Sequence, residues 1–472
     1  MTTSSELQNE VTSYLGRWRP MYEAFLENIL LETVKFRERA ENFDRLYRIY
    51  TRSDKQRGGG KLKSIPRIAE KLERWRAEKP TCGIKEIHDI VGLTVVTYYS
   101  SDIEDISKRF QAWKNPVFKV AKFEDKSARG YFARHFHLRS LNPTHDGILA
   151  ELQLKSLLHD GWAAKVHDLT YNPSVRVGPP VQTMIETLGS TLENIERMSG
   201  ELRDLTNKHI EADRSRRDMA VTTLMFEFTQ DQKREHDSEI AALANKLLKA
   251  KEKILDCDAN SPQLVAFTSR WKKIVAKMGY CRETCRFIIL LASIRHDNDF
   301  DELALDAVEQ WVRGSTDIKQ KARATSFLAL SNYILGYIDA AIENGRNDVK
   351  LKVQAKSPAA LARINLAYYL AEKIFVSPPK AKNAQILKEI KMLLKELPRR
   401  AENVQLSASF KDSEGAIKIM TAKRPEEVYA GLQLCDKARK LVAKTKGAKV
   451  FNVYYELHAR RAQAKLSELQ DA

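Results

Sequence analysis

Asp89 stands directly before the apolar run Ile90 to Tyr99 (IVGLTVVTYY), and Glu151 lies within Ile148 to Lys155, a later segment that also reads as a strand. Runs rich in β-branched and aromatic residues read as strands. Two carboxylates on adjacent strands can hold Mg²⁺ between them and a bound triphosphate. Upstream stand Lys61, Lys63, Arg67 and Lys71. The last three fall at four-residue steps, so on a helix they line one face, and that face suits a polyphosphate. Tyr131, His135 and His137 fall in one strand-like segment, with Tyr131 and His135 on a shared face, where an aromatic ring can stack on a base. Taken singly, each feature has a plain structural reading, because carboxylates are usually solvated and a basic helix face is usually just surface.

The elements that must position these residues follow from periodicity. Glu6 to Thr51 carries apolar residues at three- and four-residue steps, among them Leu15, Met21, Phe25, Ile29, Leu30 and Val34, and is predicted helical. Gly58-Gly59-Gly60, flanked by basic residues, reads as a hinge or a phosphate-facing loop. A helix is expected from about Ile65 to Glu78, ended by Pro80. Ile90 to Tyr99 is the first predicted strand, Asp102 to Trp113 returns to helical spacing, and Val117 to Phe123, Phe132 to Leu141 and Ile148 to Lys155 are further strands. Turns fall at Arg129-Gly130 and Asn142-Pro143. Strands alternating with helices make this an α+β or α/β unit, and from Pro179 onward the sequence reads as all-α. Within that tail SNYILGYIDAA (Ser331 to Ala341) resembles LAYYLAEKI (Leu366 to Ile374), about one tetratricopeptide length away. The alternative is an irregular helical bundle.

Composition bounds these readings. The 472 residues exceed one ordinary core, so two or three domains are expected. Apolar residues at 43 % and charged residues at 30 % describe a globular, soluble chain. A formal net charge of +17 favours anionic ligands such as nucleotides, RNA or an acidic partner, or else a merely basic surface. The cysteines (Cys82, Cys257, Cys281, Cys285 and Cys435) are odd in number and mostly far apart, which argues against a disulfide framework. Cys281 and Cys285 lie one helical turn apart, without the further ligands zinc needs. The N-terminus MTTSSELQNE shows no signal peptide, and Phe287 to Ile294, the most apolar segment, is too short to span a bilayer. A cytoplasmic protein without a membrane partner is expected.

Spacing joins the separate features. Glu151-x-Gln153, then Trp162-Ala163, His167 and Tyr171, resembles the pattern E-x-Q…W-A…H-x-x-x-Y of RelA/SpoT synthetases. Lys61-x-Lys63…Lys71 resembles that family's R-x-K-x-x-x-S-x-x-x-K. Asp89-Ile90-Val91-Gly92-Leu93 resembles D-x-x-G-x-R, and Gly130-Tyr131-x-x-x-His135 resembles G-Y-x-S-x-H. The four motifs occur in the family's order between Lys61 and Tyr171. The resemblance implies an α+β nucleotidyltransferase-like domain, a mixed sheet flanked by helices, followed by an all-α domain. The divisions expected are N-terminal helices over 1–60, the synthetase-like domain over 61–180, an amphipathic helical connector over 181–260 and an all-α, tetratricopeptide-like domain over 261–472.

It also implies a reaction. Synthetases of this kind move pyrophosphate from ATP to a 3′-hydroxyl, which attacks the β-phosphorus while AMP leaves. By carry-over Asp89 and Glu151 would be catalytic and bind Mg²⁺, with Glu151 also taking the hydroxyl proton. Lys61, Lys63, Arg67 and Lys71 would bind ATP, and Arg129, Tyr131 and His135 the acceptor. Gln153 and His167 would support the site. The metal and cations would neutralise charge on the phosphate oxygens. The sequence departs from the pattern at Thr94 (Arg in the family), Ala133 (Ser), Arg67 (Ser), Lys61 (Arg) and Val166 (Glu), and Lys does not replace Arg where a planar guanidinium stacks. Histidine–aspartate pairs recur, at His88, His145, His159, His167, His236 and His296, yet residues 1–60 hold no histidine. An alarmone-hydrolysing domain ahead of Lys61 is therefore not expected.

Three functions compete on this reading. The first is (p)ppGpp synthesis on GDP or GTP, or the same transfer to an adenine nucleotide. The second is a toxic relative that pyrophosphorylates the tRNA 3′ end, favoured by the net charge and the basic segment Arg52 to Arg76. There the helical tail would neutralise the toxin, sense a signal or bind a protein partner. The third is a catalytically silent regulatory binding protein, motivated by the departures, Thr94 above all.

Overall fold

The computed structural model describes residues 4–51, 61–128, 131–145, 147–170, 179–234, 239–255, 257–258, 261–377, 383–398, 403–445 and 448–470. The chain divides into two compact units, residues 1–204 and 205–472.

The first unit is built on a five-stranded mixed sheet. Its strands are β1 (Leu46–Thr51), β2 (Val91–Thr97), β3 (Phe118–Ala128), β4 (Tyr131–Ser140) and β5 (Leu149–Ser156), in the order β1-β2-β5-β4-β3. Only β2 and β5 run parallel, and the other neighbours are antiparallel. Side chains alternate across a pleated sheet, and the alternation here separates two environments. Val91, Leu93 and Val95 of β2, Phe136 and Leu138 of β4, and Ala150, Leu152 and Leu154 of β5 enter one hydrophobic core. Helix α1 (Ser4–Arg37) adds Val11, Leu15, Tyr22, Phe25 and Ile29 to that core, in a stripe at helical spacing. Helices α3 (Ile65–Glu78) and α4 (Ile103–Ala112) contribute Ile68, Leu72, Ile106 and Phe110. The opposite face carries Arg48, Tyr50, Thr94, Glu151, Gln153, Lys155, His135 and His137, as the strand register requires.

One expectation for the N-terminal segment is corrected. The helix reaches Arg37, a single turn α2 follows at Ala40–Phe43, and Leu46 to Thr51 then forms edge strand β1 rather than continuing as helix. LYRIYT has the β-branched and aromatic content of a strand, and pairing with β2 satisfies its backbone groups. Residues 1–60 are therefore not all helical, and their last described element belongs to the sheet. The remaining strands and helices of this unit lie within a few residues of their predicted positions. The Gly58–Gly60 loop falls outside the described residues.

After helix α5 (Leu157–Thr170), every element is helical among the described residues. Helix α6 (Pro179–Arg234) begins in the first unit and ends in the second. The second unit continues with α7 (Glu239–Lys249), α8 (Lys251–Leu255), α9 (Pro262–Met278), α10 (Arg282–Arg295), α11 (Asn298–Gly314), α12 (Ile318–Ile334), α13 (Ile338–Gln354), α14 (Ala360–Val376), α15 (Ala384–Lys395), α16 (Val404–Thr421), α17 (Pro425–Val442) and α18 (Ala448–Gln470). The two resembling segments do not occupy equivalent places. Ser331 to Ala341 crosses the turn between α12 and α13, with Gly336 at φ 91°, whereas Leu366 to Ile374 lies wholly inside α14. Their common residues instead meet one another: the Tyr333 and Tyr368 rings lie 5.6 Å apart, edge to face. No helix of the described residues is long and apolar enough to cross a membrane.

Candidate active site

Asp89 sits in the turn that leads into β2, and Glu151 is the third residue of β5. Gly92 is the register partner of Glu151 across the parallel pair, so both carboxylates fall at the N-terminal ends of two hydrogen-bonded strands. A glycine opposite Glu151 leaves the sheet face open beside the carboxylate. His137 is the register partner of Glu151 on the other side, and His135 that of Gln153.

Lysines hold Asp89. Lys63 Nζ lies 2.5 Å from Oδ2 and Lys71 Nζ 3.0 Å from Oδ1. Burial opposes ionisation of Asp89, but the two ammonium groups outweigh it and keep the carboxyl below its ordinary range. Lys63 is not on the helix expected for it. Ser64 is the N-cap and Pro66 lies in the first turn, so α3 starts at Ile65. Lys63 is fixed instead by its backbone N–H, which donates to the carbonyl of Ile90 at 3.0 Å. Lys71 does project from α3, and its ammonium also lies 4.9 Å from the centre of the Trp75 ring.

Imidazoles and an amide hold Glu151. Gln153 Nε2 donates to Oε1 at 2.8 Å, His135 Nδ1 lies 3.1 Å from Oε2, and His88 Nε2 lies 3.8 Å from Oε2. Burial raises the Glu151 carboxyl, yet His135 and Gln153 overcome that effect and leave it far below the ordinary carboxylate range. The His88 and His137 rings stack at 3.8 Å, inclined by 33°. Burial first, then His137 and Lys71, push His88 down to about 4, and burial likewise lowers His137. Both are neutral imidazoles at neutral pH.

The other expected residues are distributed as follows. Lys61 pairs with Glu27 of α1 at 2.6 Å and is not brought to Asp89. Arg67 lies exposed on α3. The backbone of Tyr131 opens β4, and His167 falls within α5, but their side chains lie outside what is described, as do Arg129 and Tyr171 entirely. Thr94, where the family pattern has Arg, is buried on the site face and hydrogen-bonds Tyr50 of β1. Ala133 is fully buried on that face.

Two groups escaped sequence reasoning. His88 and His137 join Glu151, although period-two alternation from His135 would have placed His137 there. Asp160 of α5 gathers Lys155 at 3.0 Å, Arg48 at 2.7 Å and the Tyr50 hydroxyl at 2.5 Å, and these partners outweigh its burial to keep it ionised. Contacts between residues 110 positions apart, as in Tyr50 and Asp160, leave no local trace.

The domain is thus α+β, with one sheet face packed in a hydrophobic core under helices and the other lined by carboxylates, a lysine and imidazoles. Residues 60–175 match the model described as "Region found in RelA / SpoT proteins", and the chain carries that region. The GTP pyrophosphokinase YjbM of Bacillus subtilis (strain 168) is 28 % identical over 156 residues, which cover 30 % of this chain and 70 % of the relative. Among solved structures, the small alarmone synthetase 1 of Bacillus subtilis bound to its product pppGpp is 20 % identical, covering 40 % of this chain and 97 % of that one, with a TM-score of 0.34. A GTP pyrophosphokinase family protein from Streptococcus pneumoniae is also 20 % identical, with coverages of 41 % and 93 % and a TM-score of 0.34.

Proposed function

We propose that this chain is an ATP-dependent pyrophosphokinase that transfers pyrophosphate to the 3′-hydroxyl of a guanosine nucleotide or a related nucleotide. The observation that carries the reading is the pair Asp89 and Glu151. Within a RelA/SpoT region, both are buried and both are held ionised, Asp89 in the turn that leads into β2 and Glu151 on the neighbouring strand β5. Ionised oxygen donors fit a hard divalent cation such as Mg²⁺. Asp89 and Glu151 would hold that ion, which when bound supplies charge neutralisation at the phosphate oxygens.

In this reaction the acceptor oxygen forms a bond to the β-phosphorus, the bond from that phosphorus to the bridging oxygen of AMP breaks, and the hydroxyl proton passes to the protein. Lys63 and Lys71, ion-paired to Asp89, would bring positive charge to the phosphate oxygens beside that carboxylate. Glu151, held far below the ordinary carboxylate range, has low proton affinity. Its depression favours a charge-holding role over the proton-accepting one. His135, 3.1 Å from Glu151, stands beside that carboxylate, where it would help orient the acceptor.

The test is incubation with labelled ATP and a panel of GDP, GTP, adenine nucleotides and tRNA. A 3′-pyrophosphorylated guanosine product supports the reading, and no product with any nucleotide overturns it. The tRNA-modifying alternative draws on the net charge of +17 and on exposed Lys119, Lys122 and Lys126 along edge strand β3. It requires tRNA binding that weakens steeply with salt, because phosphate contacts release counterions.

A further inference from the structure

His88, His137 and Glu151 do more than surround a carboxylate. Each offers a ligand atom, and the three atoms all lie within 4.8 Å of one another. A divalent metal with bonds of about 2.1 Å holds its ligand atoms about 3.0–3.5 Å apart. Closing on an ion therefore asks for shifts of about 1 Å or less, within the reach of side-chain rotation. The existing 3.8 Å between His88 Nε2 and Glu151 Oε2 is close to that geometry already.

His137 is buried, with 4 % exposure, and its Nε2 lies 3.4 Å from Glu124 without a well-aligned hydrogen bond. Buried ring nitrogens are normally well satisfied, whereas this one has only the poorly aligned Glu124 contact. His88 is only partly covered, which leaves a route for an ion and for further ligands. Packing alone does not require two imidazoles beside a carboxylate on a sheet face.

We propose that His88, His137 and Glu151 form a site for a borderline transition-metal dication such as Co²⁺, Mn²⁺ or Zn²⁺, beside the oxygen donors that suit Mg²⁺. Two imidazoles and one carboxylate favour such metals, whereas Mg²⁺ prefers oxygen ligands and retains its waters. Three protein ligands leave coordination positions open, the arrangement of a reactive or regulatory metal rather than a structural one. The inference shares Glu151 with the pyrophosphokinase reading and rests on it for any role in catalysis. Metal binding itself does not depend on it.

The experiment uses the full chain with Co²⁺ alone and no nucleotide, so a negative result leaves the transferase reading standing. Co²⁺ is titrated by its visible absorption and by equilibrium dialysis, then challenged with a roughly hundredfold excess of Mg²⁺. One Co²⁺ per chain should bind and survive the challenge. His88→Gln and His137→Gln should each weaken binding by about tenfold or more, while Asp89→Asn keeps the Co²⁺ site. X-ray absorption of the wild-type complex should show nitrogen scatterers, a readout that needs no variant to fold. Absence of stoichiometric binding, displacement by Mg²⁺, indifference to both histidine substitutions, or an all-oxygen ligand shell would each overturn the proposal.

Discussion

Asp89 and Glu151 carry charge in a buried place, and this is where substitution should be felt most. Asp89→Asn and Glu151→Gln keep the shapes and remove the charges, so each should lower pyrophosphate transfer by roughly 10²–10³-fold. A full-rate variant in a folded protein would overturn the catalytic role of that carboxylate. His88 makes a different prediction. Its imidazole falls from an ordinary 6.5 to about 4 on folding. A group depressed in this way contributes stability above its unfolded pKa, and that stability is lost as pH falls through the folded value. His88→Gln should therefore make the loss of stability between about pH 6.5 and pH 4 shallower, by on the order of 1–3 kcal/mol. Urea denaturation at several pH values measures this, and an unchanged profile would contradict it. At this scale motif and contact coincide where Lys63 and Lys71 meet Asp89 and Gln153 meets Glu151. Lys61 pairs instead with Glu27, 34 positions away on α1. The place of His88 was not legible, because it lies in a turn and its partners, Glu151 on β5 and His137 on β4, are distant in sequence.

The strands were readable because β2 is a buried run rich in β-branched residues and β5 alternates leucine or alanine with polar residues at period two. Strand β1 was not, because Leu46, Ile49 and Tyr50 also fit the three- and four-residue steps of the preceding helix. Only pairing with β2 decides between the two. Helix α3 was placed well, yet Lys63 fell outside it, since the Ser64 cap and Pro66 fix the start. In the helical unit, contact between elements is set by small residues that periodicity does not flag. A Cβ on Gly415 of α16 would come within 2.6 Å of both Cys435 Sγ and the Gly431 carbonyl oxygen of α17. The two backbones touch there, and the oxygen cannot swing aside as a flexible side chain would. Gly415→Ala should thus destabilise the helical unit by about 1–3 kcal/mol, seen as a lower midpoint in thermal or urea denaturation. An unchanged midpoint would show that α16 and α17 cross less closely.

Across the whole molecule, charge is treated in two ways. The sheet unit gathers buried charge on one sheet face, around Asp89, Glu151 and Asp160, and the helical unit encloses a separate cluster between helices. Glu372 of α14 is fully enclosed, with Arg461 of α18 at 2.8 Å and Arg216 of α6 at 3.3 Å. Glu372→Leu strands two guanidinium groups in the interior and should cost about 3–5 kcal/mol. Adding Arg461→Leu should recover part of that loss, because the coupling is mutual. Strict additivity of the two substitutions would refute the network. Nothing in the sequence announced this cluster, whose members lie 89 and 156 positions apart. The fold class, by contrast, followed from the disappearance of strand signals after Pro179. Transfer of pyrophosphate as a unit can be followed with γ-labelled ATP and a guanosine nucleotide acceptor. AMP and a labelled 3′-pyrophosphorylated acceptor should appear in equal amounts, and Glu151→Gln should lower both together. Release of ADP, or label recovered only as free phosphate or pyrophosphate, would contradict transfer as a unit.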